Sequence, residues 1–239
     1  SGLDLLFGVY AFAIQIYCDF SGYSDIARGV SRFLGIELIQ NFSYPYLSRN
    51  ITEFWRRWHI SLSSWLRDYL YIPLGGSKEG KGRTYINLMA TMLLGGLWHG
   101  ANWTYVIWGG LHGLFLCAHR ILSKGKKTDT LSWNNSYLGY LSDLIRILMT
   151  FNLVCLPYIF FRASSSSDAY YYILGIFLNG GDLTILKPVL LSLFSMILID
   201  LGQRLSEDQL WLLKLPLYLR YTVALTVLIV NILIFGYHY

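Results

Sequence analysis

Long apolar runs, separated by short polar stretches, dominate the chain. The most apolar runs cover residues 5–18, 141–161, 183–201 and 217–237. A helix needs about 20 predominantly apolar residues to cross a bilayer. The last three runs therefore predict membrane-spanning helices, whereas residues 5–18 are too short alone. A second N-terminal segment, residues 24–39, carries charged side chains that need the bundle interior or a membrane interface.

Residues 52–71 show the periodicity of one amphipathic helix. At 100° per residue, one arc collects the apolar side chains Trp55, Trp58, Leu62, Trp65, Leu66 and Tyr69. A tryptophan-rich face opposite arginines is typical of a helix lying at the membrane interface. We expect Thr52 to cap its start. For Arg56, Arg57 and Arg67, two roles stay open: contact with lipid headgroups, or binding of phosphates on a nucleotide-like donor.

Residues 85–119 contain no Asp, Glu, Lys or Arg, and basic loops flank them at 73–84 and 120–127. The positive-inside rule places both loops in the cytoplasm, so the run crosses an even number of times. The glycine-rich sequence GGLWHGANW interrupts it. The run before this break is only about 15 Å of helix and the run after it about 25 Å. Because the hydrocarbon layer is about 30 Å thick, we predict a re-entrant hairpin with His99 at its tip.

Composition agrees with a membrane protein. Of the 239 residues, 54% are apolar and only 14% charged, and the mean hydropathy is +0.43. A soluble domain carries roughly 25% charged residues, so the composition argues strongly against a soluble enzyme. The net charge of +5 comes from short loops between apolar runs, which argues against a nucleic-acid partner. We predict an all-α, polytopic membrane protein with broken or re-entrant helices and an interfacial amphipathic helix.

Histidines are the side chains best suited to chemistry in this pattern. An ionisable group at membrane depth is a functional candidate. Burial favours neutral imidazole, the form that a general base requires. His99 is therefore either a general base or a structural histidine between packed helices. His59 is either a polar group at the bilayer surface or a second group facing His99. We expect His112 to pack inside the protein and His119 to lie at the interface.

Metal and disulfide chemistry are not expected. His99, His112 and His119 are separated by 13 and 7 residues, with no carboxylate nearby, and match no metal-binding motif. The cysteines number three, lie in separate apolar runs and form no CxxC pair. A disulfide framework is therefore not predicted.

Three stretches carry a family resemblance. They read IQIYCDFSGYSDIARGVSRFLGI, NFSYPYLSRNITEFWRRWHISLSSWLRDYLYIPLGG and LLGGLWHGANWTYVIWGGLHG. They resemble the membrane-bound O-acyltransferase (MBOAT) family, in particular its alginate O-acetyltransferase (AlgI-type) branch. The match is dense over residues 14–120 and looser beyond. It implies a multi-pass enzyme of the bacterial inner membrane that moves an acetyl or other acyl group from a cytoplasmic thioester toward hydroxyls of an extracytoplasmic polysaccharide.

The resemblance also assigns residues. The histidine of the family's WHG motif falls on His99 and that of its WRRWH motif on His59, so both are expected to be catalytic. The cofactor-binding residues stay unknown, and acetyl-CoA or another acyl thioester is expected as the donor substrate and not as a bound cofactor. The partners implied are membrane lipid and an extracytoplasmic acetyltransferase or polysaccharide acceptor.

Residues 1–239 are interpreted as a single MBOAT-type domain, expected to be the C-terminal part of a longer chain because family members are longer. Two other functions stay open. Transporters also build sites from broken helices, although they often carry a second broken segment in a matching half, and none is found here. The second alternative is a scaffold in an export complex without acyl-transfer chemistry.

Overall fold

The computed structural model describes residues 1–123, 137–208, 211–223 and 225–226. Within these ranges the regular structure is entirely helical, and the predicted all-α class is confirmed. The α-helices are α1 (Gly2–Phe33), α2 (Ile51–Arg57), α3 (Ile60–Leu66), α4 (Gly80–His99), α5 (Trp103–Leu122), α6 (Tyr137–Arg162), α7 (Ser166–Leu178), α8 (Leu186–Ser206) and α9 (Trp211–Lys214). A 3-10 turn covers Pro45–Leu47 and a π-helical turn covers Arg67–Tyr71.

Three helices of the described residues are long and apolar enough to cross a membrane: α1, α6 and α8. The last two confirm helices of spanning length and apolarity where spans were predicted over residues 141–161 and 183–201. Helix α1 corrects the N-terminal prediction, because one helix of 32 residues continues where two segments were expected. Of the span predicted over residues 217–237, residues 217–223 are helical. Residues 224 and 227–237 lie outside the described residues.

The structure divides into two compact units. The first comprises Ser1–Tyr17 and the described part of Gly175–Tyr239. In this unit, the Asp4 carboxylate accepts hydrogen bonds from the backbone N–H groups of Thr184 and Ile185, at 2.8 and 3.1 Å. Tyr17 donates a hydrogen bond of 2.7 Å to Asp200. The first half of α1 is thus connected to the residues just before α8 and to the later part of α8.

The second unit, Cys18–Leu174, contains a hairpin of α4 and α5. Each helix has 20 residues and is about 30 Å long, so the shorter lengths predicted from the sequence are wrong. The predicted break exists, but GGLWH stays helical and only residues 100–102 leave the helix. Helix length alone therefore no longer favours a re-entrant hairpin over two crossings. The depth of the tip and the single-domain organisation of residues 1–239 stay predictions.

Two glycines bring α4 and α5 into direct backbone contact. A Cβ atom on Gly96 would lie 2.3 Å from the carbonyl oxygen of Tyr105, and one on Gly109 would lie 2.3 Å from that of Met92. Small residues at such positions permit helix backbones to approach closely. The contact sets the last turn of α4, which ends at His99, against the first half of α5.

The amphipathic segment is not one helix. It divides into α2, α3 and the π-helical turn, and α2 is capped by Asn50, which accepts the Glu53 N–H at 2.8 Å, rather than by Thr52. His59 separates α2 from α3 with φ 42° and ψ 58°, a left-handed conformation that is uncommon outside glycine. The predicted arc is therefore interrupted: Trp58 is buried, whereas Trp65 is half exposed. An interfacial position for this segment stays a prediction.

A chain of buried charges connects α2 to α6. Arg57 pairs with Glu53 at 2.6 Å, and Arg49 pairs with Glu53 at 3.7 Å and with Asp143 at 3.0 Å. All four side chains are at least 90% buried. Arg57 also lies over the Tyr44 ring, 4.5 Å from its centroid. The headgroup and phosphate roles considered for Arg57 are therefore wrong.

The glycine contact predicts a position-specific effect of one methyl group. Gly109→Ala places a Cβ against the Met92 carbonyl, whereas Gly110→Ala meets only a Leu93 methyl at 3.5 Å, an ordinary contact. Overpacking of this kind costs about 1–3 kcal/mol. We expect Gly109→Ala to lower the Tm in detergent and Gly110→Ala to leave it near wild type. Equal Tm values for the two variants would contradict the close backbone contact.

The buried charge chain predicts a second contrast. Asp143→Asn removes one charge from it, and breaking a buried ion pair costs about 3–5 kcal/mol. The control is Asp68→Asn, because the Arg67–Asp68 pair is exposed and such pairs contribute about 0–1 kcal/mol. We expect a clear loss of thermal stability in Asp143→Asn and little change in Asp68→Asn. If Asp143→Asn were as stable as wild type, the chain would not hold α6 to α2.

Candidate active site

His99 is the last residue of α4, and its half-buried imidazole lies among aromatic rings. The Trp98, Trp108 and Phe161 rings contact it edge to face, with centroid distances of 4.9, 5.0 and 5.0 Å. Tyr105 lies 6.2 Å away in a tilted arrangement. Edge-to-face contacts orient a ring, so α4, α5 and α6 together fix the imidazole of His99.

His59, also half buried, occupies the break between α2 and α3. The Phe20 ring contacts it edge to face at 4.7 Å, and the Trp98 ring lies 6.3 Å away. The Nδ1 atom of His59 is 3.3 Å from the Ser61 hydroxyl oxygen. Its left-handed backbone is the kind of local strain that accumulates at functional sites.

The two histidines line one cavity. The cavity is narrow: the centre of a water-sized sphere can occupy only about 10 Å³ of it, and the total of about 280 Å³ includes open solvent at its mouth. The other lining residues are Trp55, Trp58, Leu62, Leu66, Met92, Gly95 and Trp108. The wall is therefore mostly apolar, with two imidazoles as its titratable groups. An apolar pocket with a few polar groups is typical of a small-molecule site.

The other two candidate histidines lie outside this lining. His112 is fully buried, and its ring contacts those of Phe54, Trp55 and Trp108 at 6.3, 5.0 and 4.8 Å. Its packing role is confirmed. His119 Nδ1 is 2.9 Å from the Thr52 hydroxyl, which links α5 to α2. The expected position of His119 at the interface stays a prediction.

No metal centre is visible in residues 1–123, 137–208, 211–223 and 225–226, where no three His, Cys, Asp or Glu side chains form a group that could hold an ion. The three cysteines are free, with Cys18 exposed and Cys117 and Cys155 buried.

Several residues of the site were missed by sequence reasoning. Phe161 and Phe20 contact the two histidines from helices far away in the chain, and no local pattern indicates those contacts. The start of α2 had a usable signal, because Asn50 followed by Glu53 has the spacing of a helix-capping motif. That spacing would have located the helix start and drawn attention to Glu53.

These features define a helical membrane protein with a cavity lined by two histidines. A sequence model of the membrane-bound O-acyltransferase family, MBOAT, matches residues 5–160. The matched range contains both histidines and every helix that lines the cavity. The chain belongs to this family, and the resemblance found in its motifs is confirmed.

Several bacterial proteins are similar to this chain. The probable alginate O-acetylase AlgI of Pseudomonas syringae pv. tomato is 51% identical over 162 residues, which cover 68% of this chain and 29% of that protein. The corresponding Pseudomonas aeruginosa protein is 42% identical over 215 residues, 86% and 39% of the two chains. The peptidoglycan O-acetyltransferase of Helicobacter pylori is 42% identical over 174 residues, which cover 72% of this chain and 32% of that protein. The chain thus spans about a third of the length of these relatives.

Proposed function

We propose that this protein catalyses O-acyl transfer within a membrane. It moves an acetyl or other acyl group from a thioester donor to hydroxyl groups of an extracytoplasmic polysaccharide or wall polymer. The observation that carries the proposal is that His99 and His59 line one cavity in a chain of this family. The names of similar proteins, alginate O-acetylase and peptidoglycan O-acetyltransferase, support this class of acceptor.

In this mechanism His99 is the general base. It takes the proton of the acceptor hydroxyl while the hydroxyl oxygen attacks the thioester carbonyl carbon. The tetrahedral intermediate collapses, the C–S bond breaks, and His99 returns the proton to the thiolate. The products are the ester and a free thiol. The Trp108 and Phe161 rings against His99 keep water from this position and so disfavour hydrolysis of the donor.

His59 serves the same reaction as a second catalytic group. It orients the donor or the acceptor, or supports the oxyanion of the intermediate. Acetyl-CoA or another acyl thioester enters as a substrate from the cytoplasm, and the enzyme carries no bound cofactor. We place it in the bacterial inner membrane as a multi-pass protein. Its partners are membrane lipid and an extracytoplasmic acetyltransferase or the polysaccharide acceptor itself.

The proposal predicts loss of ester-linked acetate when His99 is replaced. The measurement is acetate released by mild base from surface polysaccharide of cells that carry the intact protein, at equal membrane abundance of each variant. General-base catalysis contributes about 10²–10⁴-fold, so we expect His99→Gln to lose at least about a hundredfold. The matched control is His119→Gln, which removes a histidine outside the cavity lining and should keep the modification. Unchanged acetate in His99→Gln would remove His99 as the base and favour a transporter or an export scaffold.

A further inference from the structure

The start of α3 is held by a residue far from it in the sequence. His59 occupies the N-cap position of α3, but its side chain makes no capping hydrogen bond. Instead, the Asn41 backbone oxygen accepts the Ile60 N–H at 2.9 Å, and Asn41 Oδ1 accepts the Ser61 N–H at 3.2 Å. Asn41 thus satisfies two of the N–H groups that a helix start leaves free.

The same contacts determine which atoms donate and which accept in the hydrogen bonds between Asn41, Ser61 and His59. A backbone N–H can only donate, so the Asn41 side-chain atom facing Ser61 is the oxygen, which can only accept. The Ser61 hydroxyl lies 2.6 Å from that oxygen, and its single proton is therefore donated to Asn41. Toward His59 Nδ1, which is 3.3 Å away, the Ser61 hydroxyl oxygen can therefore act only as a hydrogen-bond acceptor. For this contact to be a hydrogen bond, neutral His59 carries its proton on Nδ1.

We propose that Ser61 and Asn41 are positioning residues that hold His59 as the Nδ1–H tautomer, with Nε2 left as a hydrogen-bond acceptor. The proposal rests on the function proposed above. It also narrows the role of His59, because an unprotonated Nε2 cannot donate a hydrogen bond to an oxyanion. His59 instead accepts a hydrogen bond from a neighbouring, non-reacting hydroxyl of the acceptor, and this contact orients the reacting hydroxyl toward His99.

Two further contacts suit a fixed imidazole. The Phe20 ring meets the His59 ring edge to face, with an interplanar angle of 89°. His59 has a left-handed backbone, and the next two residues, Ile60 and Ser61, donate their backbone N–H groups to Asn41. Ring and backbone of His59 are thus both fixed, and Ser61 selects which nitrogen carries the proton.

The tautomer is tested by solid-state NMR on the intact protein in lipid bilayers, labelled with ¹⁵N-histidine. The His59 signals are assigned by their loss in His59→Gln. We expect a protonated Nδ1 and an unprotonated Nε2 in wild type and in Ser61→Thr, which keeps the hydroxyl. We expect a changed tautomer population in Ser61→Ala. The control is Ser64→Ala, whose hydroxyl donates to the Ile60 carbonyl on the same helix and does not meet His59.

The catalytic consequence is tested on the same samples with an acyl-thioester donor. One hydrogen bond corresponds to roughly a factor of ten in rate. We expect Ser61→Ala to lower kcat about tenfold with little change in the donor KM, and Ser61→Thr and Ser64→Ala to stay near wild type.

The two readouts separate this inference from the proposed function. A protonated Nε2 in wild type, or a Ser61→Ala spectrum identical to wild type, overturns the tautomer assignment whatever the activity. An unchanged kcat in Ser61→Ala, with the tautomer altered, overturns the positioning role. Absence of acyl transfer in wild type contradicts the proposed function and with it the positioning role in that reaction, whereas the spectrum still decides the tautomer.

Discussion

The contact between Gly96 and Gly109 is the constraint on which the site depends. Each glycine lies where a Cβ would overlap the backbone of the facing helix, so α4 and α5 can meet at this distance only without side chains there. This contact sets His99, three residues after Gly96, against Trp108, the residue before Gly109. The same two helices supply Met92, Gly95 and Trp108 to the cavity wall.

His59 is positioned at the cavity by contacts other than the glycine contact between α4 and α5. The buried charges from Arg57 to Asp143 hold α2 on α6, and the Asn41 contacts hold the start of α3. The helical path is broken at His59 between these two helices, and the His59 side chain lines the cavity at this point. A buried ion chain is costly to break, which makes α2 a firm support for the His59 side chain proposed to act in the reaction.

The apolar runs were enough to predict long apolar helices such as α6 and α8. The motifs singled out His99 and His59, and the structure places both in the lining of one cavity. The sequence also predicted a break beside His99. It did not predict that GGLWH stays helical, because the neighbouring helix α5, and not local propensity, determines how far α4 continues. Nor did it predict the break at His59, since no local pattern favours a left-handed backbone at that position. The partners Asp143 and Asn41 are distant in sequence, so only the folded chain brings them to α2 and α3.

The account depends most on the claim that acyl transfer takes place in the cavity between the two histidines. The most direct measurement is an experimental structure of the intact protein in lipid with a non-reactive acyl-thioester analogue, in which a methylene replaces the sulfur. We expect the carbonyl carbon of the analogue inside the cavity lined by Trp55 and Trp108. Between this carbon and His99 we expect room for a hydroxyl group, with the hydroxyl oxygen roughly 3–3.5 Å from the carbonyl carbon. An analogue bound elsewhere, with the cavity empty and both histidines out of reach of its carbonyl, would contradict the account.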